Sequence, residues 1–324
     1  MKKLLCIFLW LTFFTGTFYN SDVFCDQKKY MTIGTGAITG LYYLTGGAIA
    51  LIVNDKNNEN NFRLSVVSTS GSVYNIDSVA SGELELAIVQ SDSLYQAYNG
   101  LSKWINKKQT KLRAIFSIYP EIVTLIASES SNITSIESLK NKRVNIGNPN
   151  SGQRKNAIHA LESVNINIEK DIKFIELDDY KIPEMIQSNQ LDAAFFTAGH
   201  PIDMFNTICS GKTQVRFIPI SDVNPLIQKY PYYVSANIPA YLYPPFKENN
   251  NIASFGVKSI LIGSEDIDEN IIFLITKQIF KKLDRFKKFH PVYSTLNAKY
   301  MTQGLTAPIH PGALKYYNEA KILK

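Results

Sequence analysis

A chain of 324 residues is long enough for two domains of ordinary size. Its hydrophobic fraction of 45% and its charged fraction of 19% exclude a disordered or fibrous protein. The formal net charge of +6 is spread along the chain, so we expect no nucleic-acid-binding surface.

The N-terminus has the layout of a secretory signal peptide. Two lysines precede an apolar run over residues 4–14, which is well short of the ~20 residues that a membrane span needs. We predict a cleaved signal over residues 1–25 and a soluble, monomeric, periplasmic protein beginning near Asp26. An uncleaved anchor is the alternative, and the residues before Cys25 do not favour lipidation. Cleavage after Cys25 leaves Cys209 as the sole cysteine of the mature chain, and we expect Cys209 to be a structural residue.

Strands and helices alternate along most of the remaining chain. The same order recurs in the first part and in the middle of the chain: a strand ends in a polar turn, and a helix follows. This alternation predicts an α/β protein with mainly parallel sheets covered by helices. The predicted strands cover residues 30–33, 63–67, 84–89, 142–146, 174–177, 191–196 and 255–262, and the predicted helices cover 41–52, 73–80, 182–188, 267–286 and a stretch through 158–161.

Two similar helix-to-strand junctions, at 81–88 and 188–195, suggest two lobes of similar construction, although such junctions are also common in unrelated folds. We predict a two-lobed clamshell. One lobe comprises 26–127 plus 256–324, the other comprises 128–255, and the cleft lies between them. Residues 221–251 are predicted to form an irregular crossing segment. The hinges are expected near 125–128 and 252–255.

Polar turns follow five of the predicted strands. The start of a helix carries unpaired N–H groups and about half a positive charge, which makes it a favourable place for an anion. Because ligands of open α/β sheets collect at the carboxyl ends of strands, these turns are expected to converge on one cleft. Helix capping alone would also explain any single turn. The turn residues are Thr35, Gly36, Ser70, Gly71, Gln90, Ser91, Ser151 and Gly152.

Catalytic and metal-binding patterns are weak, and we expect neither a cofactor nor a metal. No two of the four histidines have metal-ligand spacing, and neither a nucleophile elbow nor a phosphate-binding loop motif is present. The glycines at 34, 36 and 40 resemble a dinucleotide fingerprint with a spacing that is off by one. A secreted dinucleotide-dependent enzyme is therefore one alternative, and a surface antigen without a small-molecule ligand is another.

The chain resembles the TAXI receptors, which are the solute-binding subunits of TRAP transporters. The resemblance lies in 33–43, 68–75, 86–92, 151–154, 192–201 and 310–313, and it covers nearly the whole mature chain. It implies a type II periplasmic-binding-protein fold and delivery of the ligand to TRAP membrane subunits driven by an ion gradient. It also implies a small carboxylate ligand, either glutamate-like or a dicarboxylate. Gln153 departs from the Thr or Ser that is more usual in the family.

The turns and the resemblance together extend the predicted ligand-binding set. Arg154 is expected either to clamp a ligand carboxylate or to cover its own helix with a solvated head group. The added residues are Thr39, Tyr42, Ser72, Asn75, Gln153, Arg154, Thr197, Ala198 and Gly199.

Overall fold

The structure is a computed structural model that describes residues 28–56, 58, 60–246 and 251–323. The predicted signal peptide over residues 1–25 lies outside the described residues. Among those described, no helix is long and apolar enough to cross a membrane.

The described residues contain ten strands: β1 (Lys29–Gly34), β2 (Phe62–Val67), β3 (Leu86–Gln90), β4 (Leu112–Ser128), β5 (Arg143–Asn145), β6 (Lys173–Phe174), β7 (Ala193–Ala198), β8 (Val215–Ile218), β9 (Val234–Ile238) and β10 (Ile252–Ser264). They form a single mixed sheet with the path β2-β1-β3-β10-β4-β7-β5-β6, while β8 pairs with β4 and β9 with β10. Parallel pairs join β1 to β2 and β3, and β5 to β6 and β7.

Helices pack on both faces of this sheet. They are α1 (Leu41–Val53), α2 (Ser72–Ser81), α3 (Ser91–Asn99), α4 (Gly152–Ser163), α5 (Ile182–Gln187), α6 (Asp203–Cys209), α7 (Asn224–Lys229), α8 (Glu269–Lys281), α9 (Leu283–Lys287), α10 (Ala298–Met301) and α11 (Pro311–Glu319).

The hydrophobic cores divide the molecule into two lobes. The first lobe contains β1–β3 with helices α1–α3 and α8–α11, and the second contains β5–β9 with α4–α7. Of the strands and helices given above, only β4 and β10 contribute to the cores of both lobes. On β4 the change occurs between Tyr119, which packs in the first lobe, and Val123, which packs in the second. On β10 it occurs between Val257 and Ile260.

The two crossing strands pair antiparallel where they pass between the lobes. Glu121 lies opposite Val257, and Pro120 lies opposite Lys258. Gly256 permits this close pairing, because a Cβ there would lie 2.4 Å from the backbone oxygen of Glu121. The crossing therefore places a carboxyl group between the lobes.

Most of the predicted elements are present, with four corrections. The predicted strand at 174–177 is reduced to the two-residue β6, and the predicted helix at 267–286 is broken at Lys282 into α8 and α9. The segment 221–251 was expected to be irregular, but α7 and β9 lie within it, and β9 pairs with β10. The sequence pattern did not reveal the long strand β4.

The basic residues of α8 and α9 lie outside the core, and Arg285 pairs with Asp55.

Candidate functional site

A cavity of about 120 Å³ lies between the two lobes. This is about ten times the minimum space that one buried water requires, so it suits a solute of on the order of ten non-hydrogen atoms. The turns after β1, β2, β3 and β7 line it, together with the start of α4. Twelve of the predicted ligand-binding residues lie on its wall: Gly36, Thr39, Tyr42, Ser70, Gly71, Ser72, Gln90, Ser151, Gly152, Gln153, Thr197 and Ala198.

Two predicted residues brace the first-lobe turns from behind the cavity wall. The Thr35 hydroxyl donates to the carbonyl of Val67 at 2.6 Å. The Asn75 amide donates to the carbonyls of Thr35 at 2.7 Å and of Ile88 at 2.9 Å. Both residues are fully buried. They hold three adjacent turns together, and neither lines the cavity.

The start of α1 faces the cavity, with Thr39, Gly40, Leu41 and Tyr42 on its wall. Gly40 occupies the N-cap position, and no side chain caps this helix. The first N–H groups of a helix have no partner within it. The α1 start therefore presents backbone donors and the positive end of a 13-residue helix to the cavity.

The backbone N–H groups at the start of α2 already have a hydrogen-bond partner in the protein, although we expected this helix start to face a ligand. The backbone N–H groups of Val73 and Tyr74 both donate to the carbonyl oxygen of Asn150, at 3.2 and 3.3 Å. Asn150 belongs to the second lobe and adopts a positive φ of 61°. The α2 start thus contributes to contact between the lobes, while its neighbours Ser70 and Gly71 remain on the cavity wall.

The second lobe contributes the start of α4 and the end of β7. Ser151 caps α4 by accepting from the N–H of Arg154 at 3.1 Å. Gly152 lies so close to Gln90 that a Cβ at this position would be 2.0 Å from the Gln90 Oε1. Because Gln90 ends β3 in the first lobe, this contact also closes the cleft.

Three further predicted residues do not line the cavity. Ser91 accepts a hydrogen bond from the N–H of Lys258 at 3.1 Å. Arg154 pairs with Glu176 at 2.6 Å and lies over the ring of Phe174, so of the two alternatives for Arg154 the structure favours the one away from the ligand. Gly199 packs behind the wall, where a Cβ would lie 2.8 Å from a ring carbon of Tyr119.

Sequence reasoning missed three polar residues of the cavity: Tyr119, Glu121 and Asp179. Burial raises the pKa of Glu121 to about 8; neighbouring Tyr42 and Gln90 oppose this rise, and the charge of Asp92 adds to it. Burial likewise raises the pKa of Asp179 to about 6, opposed by Gln153. Among the described residues, these two carboxyls are the only ionisable acid or base groups on the wall besides tyrosines.

Unpaired polar atoms are concentrated on this wall. Twelve buried side-chain nitrogen or oxygen atoms of the described residues have no hydrogen-bond partner, and seven of them belong to cavity residues. Buried polar groups in folded proteins are nearly always paired, so such a cluster indicates where a ligand binds. The seven atoms are Tyr42 Oη, Gln90 Oε1, Tyr119 Oη, both carboxyl oxygens of Glu121, Asp179 Oδ1 and Thr197 Oγ1.

A polar network joins the lobes behind the cavity. Asn156 of α4 donates to Asp92 at 3.0 Å and to the hydroxyl of Tyr233 at 2.9 Å. Lys155 donates to Ser93 at 3.1 Å. Asp92 and Asn156 are fully buried. This network holds α3 of the first lobe against α4 of the second.

Two other reactive side chains, those of His200 and Cys209, are buried and do not line the cavity. His200 is buried between Thr124 and Tyr243, at 3.0 and 2.6 Å, and burial lowers its pKa to about 3. Cys209 is free and buried. No group of three or more His, Cys, Asp or Glu side chains that could hold a metal ion occurs in the part of the chain that the structure describes.

Residues 33–320 match the NMT1-like family, which is nearly all of the described chain. The chain belongs to the NMT1-like family. The match includes every predicted ligand-binding residue and all three cavity residues that the sequence did not reveal.

Solved structures share the fold at low sequence identity. A protein of Bordetella bronchiseptica RB50 is 13% identical, with a TM-score of 0.50 over 90% of this chain and 83% of the other. The alkanesulfonate-binding protein SsuA of Xanthomonas axonopodis pv. citri, bound to MOPS, is 12% identical, with a TM-score of 0.47 over 83% and 80%. The GluR0 ligand-binding core of Nostoc punctiforme, with glutamate, is 13% identical, with a TM-score of 0.47 over 81% and 98%. The predicted two-lobed α/β fold is confirmed by the single sheet and the separate hydrophobic cores of the two lobes.

Proposed function

We propose that this protein is the exported solute-binding subunit of a membrane transporter and captures a small carboxylate between its lobes. One observation carries the proposal. Both lobes contribute unpaired, buried polar atoms to the same solute-sized cavity, as Tyr42 does from the first lobe and Thr197 from the second, and Glu121 adds two from the strand between them. A solute that supplies partners to these atoms favours the closed arrangement of the lobes.

The carboxylate of the solute is assigned to the helix starts. The uncapped start of α1 offers backbone N–H groups on one side of the cavity, and the start of α4 at Gly152 and Gln153 faces it from the other. The N-terminus of a helix stabilises a negative charge by about 0.3–1 kcal/mol at an exposed site and by more at a partly buried one. Arg154 is not assigned to the carboxylate, because it does not line the cavity and it pairs with Glu176.

The partner is proposed to be a TRAP-type membrane complex, on the basis of the TAXI resemblance. Some structural neighbours are binding proteins of ABC-type importers, for example a binding protein component of an ABC phosphonate transporter from Pseudomonas aeruginosa. The energy source distinguishes the two partners. Uptake into proteoliposomes that contain the cognate membrane subunits should require an ion gradient and proceed without ATP. Uptake that requires ATP hydrolysis would reject the TRAP assignment.

Hinge motion is proposed to open and close the cleft. The sequence-based lobe bounds place the hinges at 125–128 and 252–255. The change of core on β4 between Tyr119 and Val123 favours a pivot slightly earlier, around Glu121 and the opposite residues of β10. Small-angle scattering should show a smaller radius of gyration at saturating solute.

A thermal-shift screen of small carboxylates and amino acids tests the function itself. A true ligand at one hundred times its dissociation constant adds about 2.7 kcal/mol to the free energy of unfolding. Dinucleotides serve as negative controls, because they are several times larger than the cavity allows. If no member of a broad panel raises the melting temperature, the solute-binding proposal is wrong.

A further inference from the structure

Glu121 is a buried acid at the centre of the cleft. Its side chain is 1% exposed and lines the cavity, and Tyr42 and Gln90 lie beside it. Neither carboxyl oxygen makes a well-formed hydrogen bond with the described residues. A buried carboxyl without well-formed hydrogen bonds costs free energy, whether it is ionised or neutral. A ligand that donates to both oxygens would remove that cost.

The cavity wall has no positive side chain that could serve this purpose. Among the described residues, no lysine, arginine or histidine lines it. The nearby Lys155 donates to Ser93 and lies over the ring of Trp104, at the back of the interlobe network. A positive partner for Glu121 would therefore have to come from the solute.

The neighbours of Glu121 fit a nitrogen cation. The hydroxyls of Tyr42 from α1 and of Tyr119 from β4 and the amide oxygen of Gln90 from β3 are unpaired on the same wall. Each can accept a hydrogen bond, so an ammonium group with three donors would find enough acceptors. The aromatic rings also provide faces that attract a cation.

We propose that the solute carries a positively charged nitrogen and that Glu121 binds it as an ionised carboxylate. This inference rests on the proposed function and narrows its substrate class to small zwitterions. The carboxylate lies at the starts of α1 and α4, and the ammonium lies at Glu121. The site thereby selects amino-group-bearing acids over plain dicarboxylates.

Binding of such a cation changes the protonation of Glu121. The titratable groups beside it are Tyr42 from α1, Asp92 at the start of α3 and Tyr119 on its own strand. None of them supplies positive charge, so with a pKa of about 8 the carboxyl is mostly protonated at pH 7 before the solute binds. An adjacent ammonium favours the ionised form and lowers this pKa. Binding at pH 7 should therefore release protons, up to one per bound solute.

Matched ligands test the inference directly. The panel pairs glutamate with glutarate, aspartate with succinate and alanine with propionate, and it adds 1,4-diaminobutane as a cation without a carboxylate. We expect the best amino acid to bind at least tenfold more tightly than its deaminated partner in isothermal titration. Titrations in phosphate and in Tris buffer at pH 7 then give the number of protons released.

Glu121→Gln removes the charge at nearly constant shape, and Glu162→Gln on the exposed face of α4 is the matched control. We expect Glu121→Gln to weaken the best amino acid at least tenfold, to abolish proton release and to leave the deaminated partner almost unaffected. Glu162→Gln should behave as the wild type. If Glu121→Gln fails to fold, the proton count on the wild-type protein still decides.

The outcomes separate this inference from the proposed function. If a dicarboxylate binds as tightly as its amino partner and without proton release, Glu121 remains protonated and donates to a carboxylate. The cation inference is then wrong, and the solute-binding function stands. Tight binding of the diamine alone would support the cation site and reject the carboxylate assignment. If no member binds, both proposals are rejected.

Discussion

The hydrogen bond between Asn156 and Asp92 joins the two lobes outside the cavity, so its removal should perturb closure of the cleft without changing the cavity wall. Asn156 belongs to α4 in the second lobe, Asp92 belongs to α3 in the first, and both are fully buried. Neither residue lines the cavity. Asn156→Leu keeps the approximate volume of the side chain and removes the amide that links the lobes.

The expected size of the effect follows from the lost hydrogen bond. A bond of this type, between an amide and a carboxyl, contributes about 1–3 kcal/mol. If it exists only in the closed form, its loss shifts the open–closed equilibrium by that amount. The observed affinity for the solute then falls by about 5- to 150-fold, with no change in the residues that contact it.

Isothermal titration with the best ligand of the screen measures this loss, and small-angle scattering shows whether the ligand-free variant is more open. Asn318→Leu on the exposed end of α11 is the control, and it should leave both quantities unchanged. The reasoning is refuted if Asn156→Leu lowers the melting temperature but leaves the ligand affinity intact. The bond would then persist in both states, and the lobes would not separate at this edge.

Three further predictions concern stability and binding. Gly47→Ala should raise the free energy of unfolding by about 0.5–1 kcal/mol in urea denaturation, because Gly47 is exposed on α1 with nothing within 4 Å of a Cβ. Gly46→Ala should lower it, because its Cβ would lie 2.8 Å from a Thr35 methyl group; equal effects of the two changes would contradict this packing. Arg154→Met should change the ligand affinity by less than about 0.5 kcal/mol in titration, and a larger loss would return Arg154 to the site. Between pH 4.5 and 8 the folded protein binds more protons at Glu121 than the unfolded chain does, so this residue's contribution to stability is present below pH 4.5 and is lost as the pH rises to 8, by at most about 1.4 kcal/mol per pH unit. Urea denaturation at several pH values should show this slope in the wild type and a smaller one in Glu121→Gln.

The turns of the site could be predicted from sequence because their chemistry is local. A polar turn that follows an apolar strand and precedes a helix has few alternatives, and strand ends of a parallel sheet meet at one edge. This rule brought Gly36, Ser70 and Gly152 to one wall. It could not separate residues that face the cavity from residues that brace it, such as Thr35 and Asn75. That distinction depends on hydrogen bonds between distant turns.

The acidic centre of the site could not be predicted by the same reasoning. Glu121 lies in the middle of β4, within a 17-residue strand that has no turn near it. A strand that serves two cores shows no simple alternation of apolar and polar residues, so periodicity did not reveal it. The only local signal was Pro120 and Glu121 between two apolar runs. Their meaning depends on the crossing with β10, which is a contact across more than 130 residues.

The position of Glu121 connects charge recognition to motion. A cleft residue on a peripheral turn would move with one lobe, whereas Glu121 lies where β4 passes from one core to the other. In the proposed hinge motion, a solute nitrogen held there stays near the pivot while the lobes move. We expect its carboxylate to reach the start of α1 in one lobe and the start of α4 in the other only in the closed form. A plain amine would thus occupy the pivot without favouring closure, because a ligand shifts a conformational equilibrium only by its differential affinity for the two forms. A zwitterion can bind at Glu121 and also favour the closed form. This difference distinguishes a transported solute from a cation that only binds in the cleft.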